Sequence, residues 1–287
     1  MKISRSLALS CLSGGVLLLL AGCGGAEGPG SQGLAAASAG LSVPQADCSR
    51  FVMTGNPAST TGATWTYDSV DEGVHYVLKG ILFTPATGTG PFPAVVISHG
   101  KGGSPRGYST NIAKRMVTWG LVSIGTSYTH ASDAAGTLPA GGEGASPENV
   151  LRAHKTRDLL SCVGNVDFSR VAAHGNSMGA FVTGQLVGTH PADFRAASQS
   201  SGGVSTNPAS TQRAAAENIT TPYQIHHGDA DTVVPLSQAQ TLNSILNASG
   251  TPHQFHIYPG ATHEQMTYES TMLSRVRFWY RQHGVLF

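Results

Sequence analysis

The sequence predicts an α/β fold: a mostly parallel, doubly wound sheet flanked by helices. Short apolar runs alternate with helix-like segments from Cys48 onward, in the order expected of such a sheet. Residues 93–98 (Pro-Ala-Val-Val-Ile-Ser) are apolar nearly throughout, as buried parallel strands are. Hydrophobic residues make up 40% of the 287, enough for one large core. We therefore expect a single domain over residues 47–287.

The elements are expected to alternate along this domain. Strands are predicted at residues 75–83, 93–98, 120–126, 171–174, 194–200, 223–227 and 254–258. Helices are predicted at residues 105–118, 150–163, 180–187, 236–248 and 264–283. A Ser-Pro pair precedes each of the first two helices and supplies an N-cap with a first-turn proline. The Gly-rich stretch 130–145 is long for a connection, so it either shapes a substrate pocket or is a plain surface loop.

The N-terminal segment has the features of a bacterial lipoprotein signal. Lys2 and Arg5 precede a short apolar run, and Leu-Ala-Gly-Cys at residues 20–23 follows it. These four residues resemble the lipobox, which implies a signal peptide over residues 1–22 and a lipidated Cys23. An ordinary signal peptide cleaved nearby is the alternative. Residues 23–46 are then the lipidated cysteine and a flexible linker to a membrane of the cell envelope, at the outer membrane or cell surface.

Cysteine usage and charge limit the remaining possibilities. Cys11 would leave with the signal peptide, so Cys48 and Cys162 remain besides the anchor. Because an exported protein meets an oxidising compartment, we expect these two to form a disulfide, with two separate thiols as the alternative. Only 11% of residues are charged and the net charge is +1, which gives no sign of a nucleic-acid partner.

The pentapeptide Gly-Asn-Ser-Met-Gly at residues 175–179 follows an apolar run and precedes a helix-like stretch. Its glycines allow a tight turn and keep side chains away from the hydroxyl of Ser177. Strand, sharp turn and helix with a serine at the apex are typical of a nucleophile elbow.

A serine hydroxyl needs a base to accept its proton and a third group to orient that base. Residues 227–235 (His-Gly-Asp-Ala-Asp-Thr-Val-Val-Pro) follow one predicted strand, and Pro-Gly-Ala-Thr-His at 259–263 follows the last one. Both segments should lie at the carboxyl edge of the sheet, beside Ser177. The order serine, aspartate, histidine is that of α/β hydrolases.

With these motifs the chain resembles the α/β hydrolases, especially dienelactone hydrolase-like esterases and the related bacterial polyester hydrolases. The resemblance covers the domain from about Tyr76. It implies Ser177 as nucleophile, Asp231 as catalytic acid and His263 as base, without a cofactor. Asp229 is the alternative acid.

An oxyanion needs preorganised N–H donors. The first expected donor is the backbone N–H of Met178, directly after the nucleophile. By resemblance the second is the N–H of Lys101, with Gly100 or Gly102 as alternatives, and His99 is a structural residue of the same loop.

Substrate-pocket residues are expected after two strands: Tyr128, His130 and Ser201, which could equally be loop surface. Trp65 is expected to precede the core, and Trp119 is expected at the edge of the sheet opposite the carboxyl edge. Neither tryptophan is therefore assigned a role in substrate binding. His226 and His227 match no common zinc spacing, so no metal is expected.

These features predict a serine hydrolase that cleaves carboxylic esters, of a small-molecule or polymeric substrate, through an acyl-enzyme. One alternative is a serine peptidase of the prolyl-oligopeptidase type. The other is a catalytically silent hydrolase-fold lipoprotein that binds a ligand or partner.

Overall fold

A nine-stranded sheet is the centre of the computed structural model, which describes residues 46–134, 138–139 and 141–287. The strands are β1 (Phe51–Gly55), β2 (Ala63–Asp71), β3 (Val74–Phe83), β4 (Phe92–Ser98), β5 (Val122–Thr126), β6 (Val166–Asn176), β7 (Ala196–Ser200), β8 (Tyr223–Gly228) and β9 (His253–Tyr258). Their order is 1-2-3-5-4-6-7-8-9. From β5 to β9 all neighbours are parallel, which confirms the predicted fold class.

The strand order changes direction at β4, which pairs with β5 on one side and with β6 on the other. The chain leaves β4 toward one face of the sheet and leaves β6 toward the opposite face. A crevice forms beyond the carboxyl ends of the strands at such a switch point, and ligands bind there in open α/β sheets. Position 98 of β4 lies beside position 175 of β6, so the loops after both strands begin at the same level.

Seven helices are described: α1 (Thr110–Met116), α2 (Pro147–Asp158), α3 (Leu160–Val163), α4 (Met178–Thr189), α5 (Thr211–Glu217), α6 (Leu236–Ser249) and α7 (Ser270–Gln282). α2, α4 and α6 pack their apolar sides on one face of the sheet. α1 and α7 cover the other face. Successive residues of a strand point to opposite faces of the sheet. Val96 therefore packs against the helices α2, α4 and α6, and Val95 packs against α1 and α7.

The N-terminal part of the domain was not fully predicted. β2 pairs antiparallel with β3, and β1 pairs antiparallel with β2, so the two strands extend the sheet beyond β3. The prediction that Trp65 precedes the core is wrong: it lies in β2, is 1% exposed, and donates its indole N–H to Ile81 O. Pairing to β3 buries every second residue of β2, and this burial could not be inferred without knowing that the two strands are adjacent.

Several helices begin or end at residues other than those predicted. Ser104 and Ser146 accept backbone N–H bonds as expected, but the helix after Ser104 starts with one wide turn before α1. The predicted helix at 150–163 begins at Pro147 and breaks between α2 and α3. The last helix begins at Ser270, where Glu269 caps it, instead of at residue 264.

Cys48 and Cys162 form a disulfide that joins the start of the described chain to α3. The predicted signal peptide, Cys23 and the linker up to residue 45 lie outside the described residues. Within the part of the chain that the structure describes, no helix has the length and apolarity to cross a membrane.

Candidate active site

Ser177 occupies the turn between β6 and α4. Its φ of 54° is in the left-handed region, which a residue with a Cβ rarely adopts. The turn is held by Ser177 N–H donating to Ser200 O of β7 (3.0 Å) and by Ala180 N–H donating to Ser177 O (2.9 Å). Such a strained strand-to-helix turn exposes the serine hydroxyl at the top of the sheet.

The two glycines of the motif allow α4 to pack closely against the strands. Neither has a left-handed φ, so the bend itself is made by Ser177. A Cβ on Gly175 would lie 2.2 Å from Gly179 O, and one on Gly179 would lie 2.2 Å from Ser98 O. Any side chain at either position would therefore push α4 away from β6 or β4.

His263 connects the serine to a carboxylate. Its Nε2 is 2.9 Å from Ser177 Oγ, and its Nδ1 is 2.7 Å from Asp231 Oδ2. A neutral imidazole with its proton on Nδ1 donates to the carboxylate and presents the Nε2 lone pair to the hydroxyl. This arrangement can remove the Ser177 proton as Oγ attacks an electrophile.

Asp231 is held rigidly in the loop after β8. Its Oδ1 accepts backbone N–H bonds from Val233 (2.9 Å) and Val234 (2.8 Å), so Oδ2 is left for His263. The buried ring of His227 lies behind it, with Nε2 at 2.9 Å from Val234 O and 3.5 Å from Asp231 Oδ2. Sequence reasoning gave His227 no part in this support.

Asp229, the alternative acid, makes a different contact. Its Oδ1 accepts the N–H of Gly260 at 2.6 Å, and the residue is exposed. This bond links the loop after β8 to the loop after β9, which carries His263. Of the two aspartates, the structure brings Asp231 to the imidazole.

Of the predicted oxyanion donors, Met178 directly follows Ser177 and Lys101 directly follows Gly100. Among the described residues, no hydrogen bond uses the N–H of Met178 or Lys101. The N–H of Gly102 donates to His130 O (2.9 Å), so this alternative is already occupied. Gly100 lies against the nucleophile, since a Cβ there would be 3.4 Å from Ser177 Oγ. The Lys101 ammonium points elsewhere and pairs with Glu143 at 2.7 Å.

The predicted pocket residues Tyr128, His130 and Ser201 are buried, so the alternative that they are loop surface is wrong. The Tyr128 hydroxyl bonds Ser98 Oγ at 2.8 Å. Ser201, with a φ of 51°, donates its backbone N–H to His226 O. His130 is 5% exposed and bonds the loop after β4. Their positions after the strands were inferred correctly, but side-chain direction in a loop is not readable from sequence.

His99 and His174 are further buried imidazoles near the crevice. Burial lowers the pKa of His99 to about 4, and burial likewise lowers the pKa of His174 to about 4. His174 Nε2 is 3.0 Å from Tyr108 Oη, and its Nδ1 is 2.8 Å from Ser198 Oγ. His99 is packed in its loop, in agreement with a structural role. Among the described residues, no hydrogen bond joins either ring to Ser177.

Groups that could hold a metal lie away from this site. His226 and His227 direct their ring nitrogens to Tyr258, Gln224 and backbone carbonyls. Elsewhere in the described chain, His154, His190 and Asp193 place ligand atoms within 4.8 Å of one another. The two imidazoles are stacked, with 3.8 Å between ring centroids, and are nearly parallel. Their in-plane lone pairs therefore do not converge on one metal ion. Asp193 also pairs with Arg157.

Comparison with known proteins identifies the family. Residues 78–271 match the model of the dienelactone hydrolase family. Esterase 2 of Thermogutta terrifontis, phosphoramylated by tabun, is 15% identical with a TM-score of 0.59, over 77% of this chain and 95% of that chain.

A puromycin-hydrolyzing peptidase of Mycobacterium tuberculosis is 17% identical with a TM-score of 0.58, over 80% of this chain and 40% of that chain. At these identities the likeness shows the fold. No curated protein sequence matches the chain. The match to the family model spans two thirds of the chain, which therefore belongs to the dienelactone hydrolase family and is a serine hydrolase of the α/β-hydrolase fold.

Proposed function

We propose that this protein hydrolyses carboxylic esters through an acyl-enzyme formed on Ser177. The observation that carries the proposal is the position of His263 between Ser177 Oγ and Asp231 Oδ2. Together with the elbow, this arrangement provides a nucleophile, a base and an orienting carboxylate in one chain of contacts.

The reaction would have two stages. Ser177 Oγ bonds to the ester carbonyl carbon while its proton passes to His263 Nε2, and the carbonyl oxygen becomes an oxyanion near the N–H groups of Met178 and Lys101. The intermediate then releases the alcohol, which takes the proton from His263. Water, activated by the same imidazole, attacks the acyl carbon and frees the acid and Ser177. Asp231 accepts the Nδ1–H bond throughout and stabilises the imidazolium.

The N-terminal segment of the domain does not itself form the gate that the peptidase alternative would need. Residues 51–71 form β1 and β2 of the same sheet, so they do not build a separate cap over the crevice. A catalytically silent binding protein would have no need for the Ser177–His263–Asp231 contacts.

The test is hydrolysis of p-nitrophenyl esters from acetate to octanoate, beside p-nitroanilide amides, by the wild-type protein and Ser177→Ala. We expect ester cleavage in the wild type, and a rate at least about 10³-fold lower in the variant. Faster cleavage of the amides would establish a peptidase instead. A folded wild type that cleaves neither would favour the binding-protein alternative.

We also propose a lipid anchor at Cys23 in the bacterial cell envelope, supported by Leu-Ala-Gly-Cys at residues 20–23. Mass spectrometry of the N-terminal peptide from membrane fractions would show a diacylglycerol-modified Cys23. An unmodified peptide cleaved elsewhere would contradict this anchor.

A further inference from the structure

His130 makes two hydrogen bonds on either side of Lys101. Its backbone carbonyl accepts the N–H of Gly102 at 2.9 Å, and its ring Nε2 lies 3.1 Å from the carbonyl oxygen of His99. Both partners belong to the loop after β4. The peptide N–H of Lys101 lies between these two tethered positions and is left without a partner among the described residues.

The ring has a defined protonation state in this position. A carbonyl oxygen only accepts, so Nε2 must carry the proton that bonds His99 O. Nδ1 faces the N–H of Gly144 at 3.3 Å and must therefore accept. Only the neutral tautomer protonated on Nε2 satisfies both contacts. Burial, the largest influence, lowers the pKa of His130 and keeps the ring neutral.

The ring is also held in place by packing. It stacks on Tyr128 at 5.4 Å between centroids and meets the edge of His99 at 5.2 Å. Asn149 of α2 donates its amide N–H bonds to Thr129 Oγ1 and to Gly144 O, which anchors the segments on both sides of the ring. A rigid group thus holds the loop after β4.

We propose that His130 is a positioning residue that orients the Lys101 N–H as an oxyanion donor by holding the carbonyl of His99. The inference rests on the proposed function of the site. His130 does not touch the reacting atoms. It acts on the preceding peptide: the carbonyl of His99 belongs to the His99–Gly100 peptide, and holding it limits rotation of the next peptide, which carries the Lys101 N–H. A donor must be aimed at the oxyanion before charge develops there.

Two substitutions of similar polarity separate this role from packing. In His130→Gln the side-chain amide reaches about as far as Nε2 and can still donate to His99 O. In His130→Asn the amide reaches only as far as Nδ1, so the bond to His99 O is lost. Glu143→Gln is the matched control, because it removes the ion pair between Lys101 and the same connecting segment without changing any contact of the His130 ring to His99 O.

The measurements are kcat and KM on p-nitrophenyl esters, and the rate of Ser177 phosphonylation by a fluorophosphonate, whose phosphoryl oxygen also requires the oxyanion donors. We expect His130→Asn to lower kcat and the phosphonylation rate on the order of 10- to 100-fold, below the cost of deleting a donor. KM should stay within about two-fold. His130→Gln should recover most of both rates, and Glu143→Gln should match the wild type.

Wild-type rates in His130→Asn, His130→Gln and Glu143→Gln alike would overturn the role of His130. So would equal losses in His130→Asn and His130→Gln that follow their melting temperatures, because such losses report packing. Phosphonylation separates this inference from the ester proposal: a wild type that reacts with the fluorophosphonate and cleaves no ester refutes only the latter. A wild type that is inert to both refutes both.

Discussion

At the residue scale, His263 contacts side chains that lie 32 and 86 positions earlier in the chain. Its two ring nitrogens have different partners, so in the proposed mechanism Asp231 sets the tautomer and the direction of proton transfer. The carboxylate in turn is oriented by two backbone N–H groups of its own loop. In the proposed mechanism each reacting group is therefore fixed by a neighbour that does not react, which is how a weak nucleophile is preorganised.

The two aspartates of the loop after β8 should respond very differently to the same substitution. Asp231→Asn keeps the shape but favours the wrong imidazole tautomer, and we expect kcat to fall by about 10³- to 10⁴-fold. In Asp229→Asn the remaining amide oxygen can still accept the N–H of Gly260, so kcat should stay within about three-fold of wild type. The kcat of both variants for ester hydrolysis checks this. A larger loss in Asp229→Asn than in Asp231→Asn would make Asp229 the catalytic acid.

At the element scale, the crevice depends on how closely the loop after β4 passes the turn at Ser177. β4 and β6 are neighbours in the sheet, and their chains leave toward opposite faces. Gly100 lies at the point of contact: a Cβ there would be 2.9 Å from Ser177 Cβ. The backbone of this loop can therefore reach the nucleophile only because a side chain is missing.

Gly100→Ala should lower kcat/KM by about 100-fold, because displacing the nucleophile or the oxyanion loop by a fraction of an ångström disrupts the reacting geometry. Gly107→Ala is the matched control, since a Cβ at Gly107 meets nothing closer than Ser104 Oγ at 3.7 Å. We expect near wild-type kcat/KM in the control. Kinetics and circular dichroism of both variants test this, and an active Gly100→Ala protein would show that the loop can retreat without cost.

At the scale of the whole molecule, five buried histidines lie in strands of the sheet or in the loops that follow them: His99, His130, His174, His226 and His227. Burial lowers the pKa of His99 and His174 to about 4 each. The unfolded chain would protonate both near pH 6.5. Folding therefore keeps these rings neutral over a pH range in which the unfolded chain binds protons.

The free energy of unfolding should be highest above pH 6.5 and should fall as the pH decreases from 6.5 to 4. In this window the unfolded state binds more protons than the folded state, and each histidine accounts for a loss of about 3 kcal/mol. Urea unfolding at pH 7.5, 5.5 and 4.5 measures this. His174→Gln should unfold with a shallower pH dependence than wild type, and an unchanged dependence would contradict the contribution of His174.

Local patterns in the sequence were sufficient for several features. The serine turn is recognisable because Gly175 and Gly179 flank a serine between an apolar run and a helix-like stretch. β4 is recognisable as a parallel strand because it is buried on both faces and so is apolar nearly throughout. The pairing of Cys48 with Cys162 followed from compartment and elimination, and the structure forms this disulfide.

Features that depend on which segments become neighbours required the tertiary structure. β2 was missed because the burial of its alternate residues depends on its place beside β3, and β1 was missed because it is a largely exposed strand that pairs with β2. The support that His130 gives to the loop after β4 was missed because its ring direction depends on packing against Tyr128 and His99.

The sequence by itself determined the α/β class, the turn at Ser177 and the order of serine, aspartate and histidine, because these follow from local backbone preferences and strand burial. Only the tertiary structure decided that Asp231 meets His263 while Asp229 meets Gly260, and that His130 holds the loop after β4. Residues two positions apart in one loop have nearly the same local signal. Their partners are selected by sheet register and by the direction in which each loop leaves its strand.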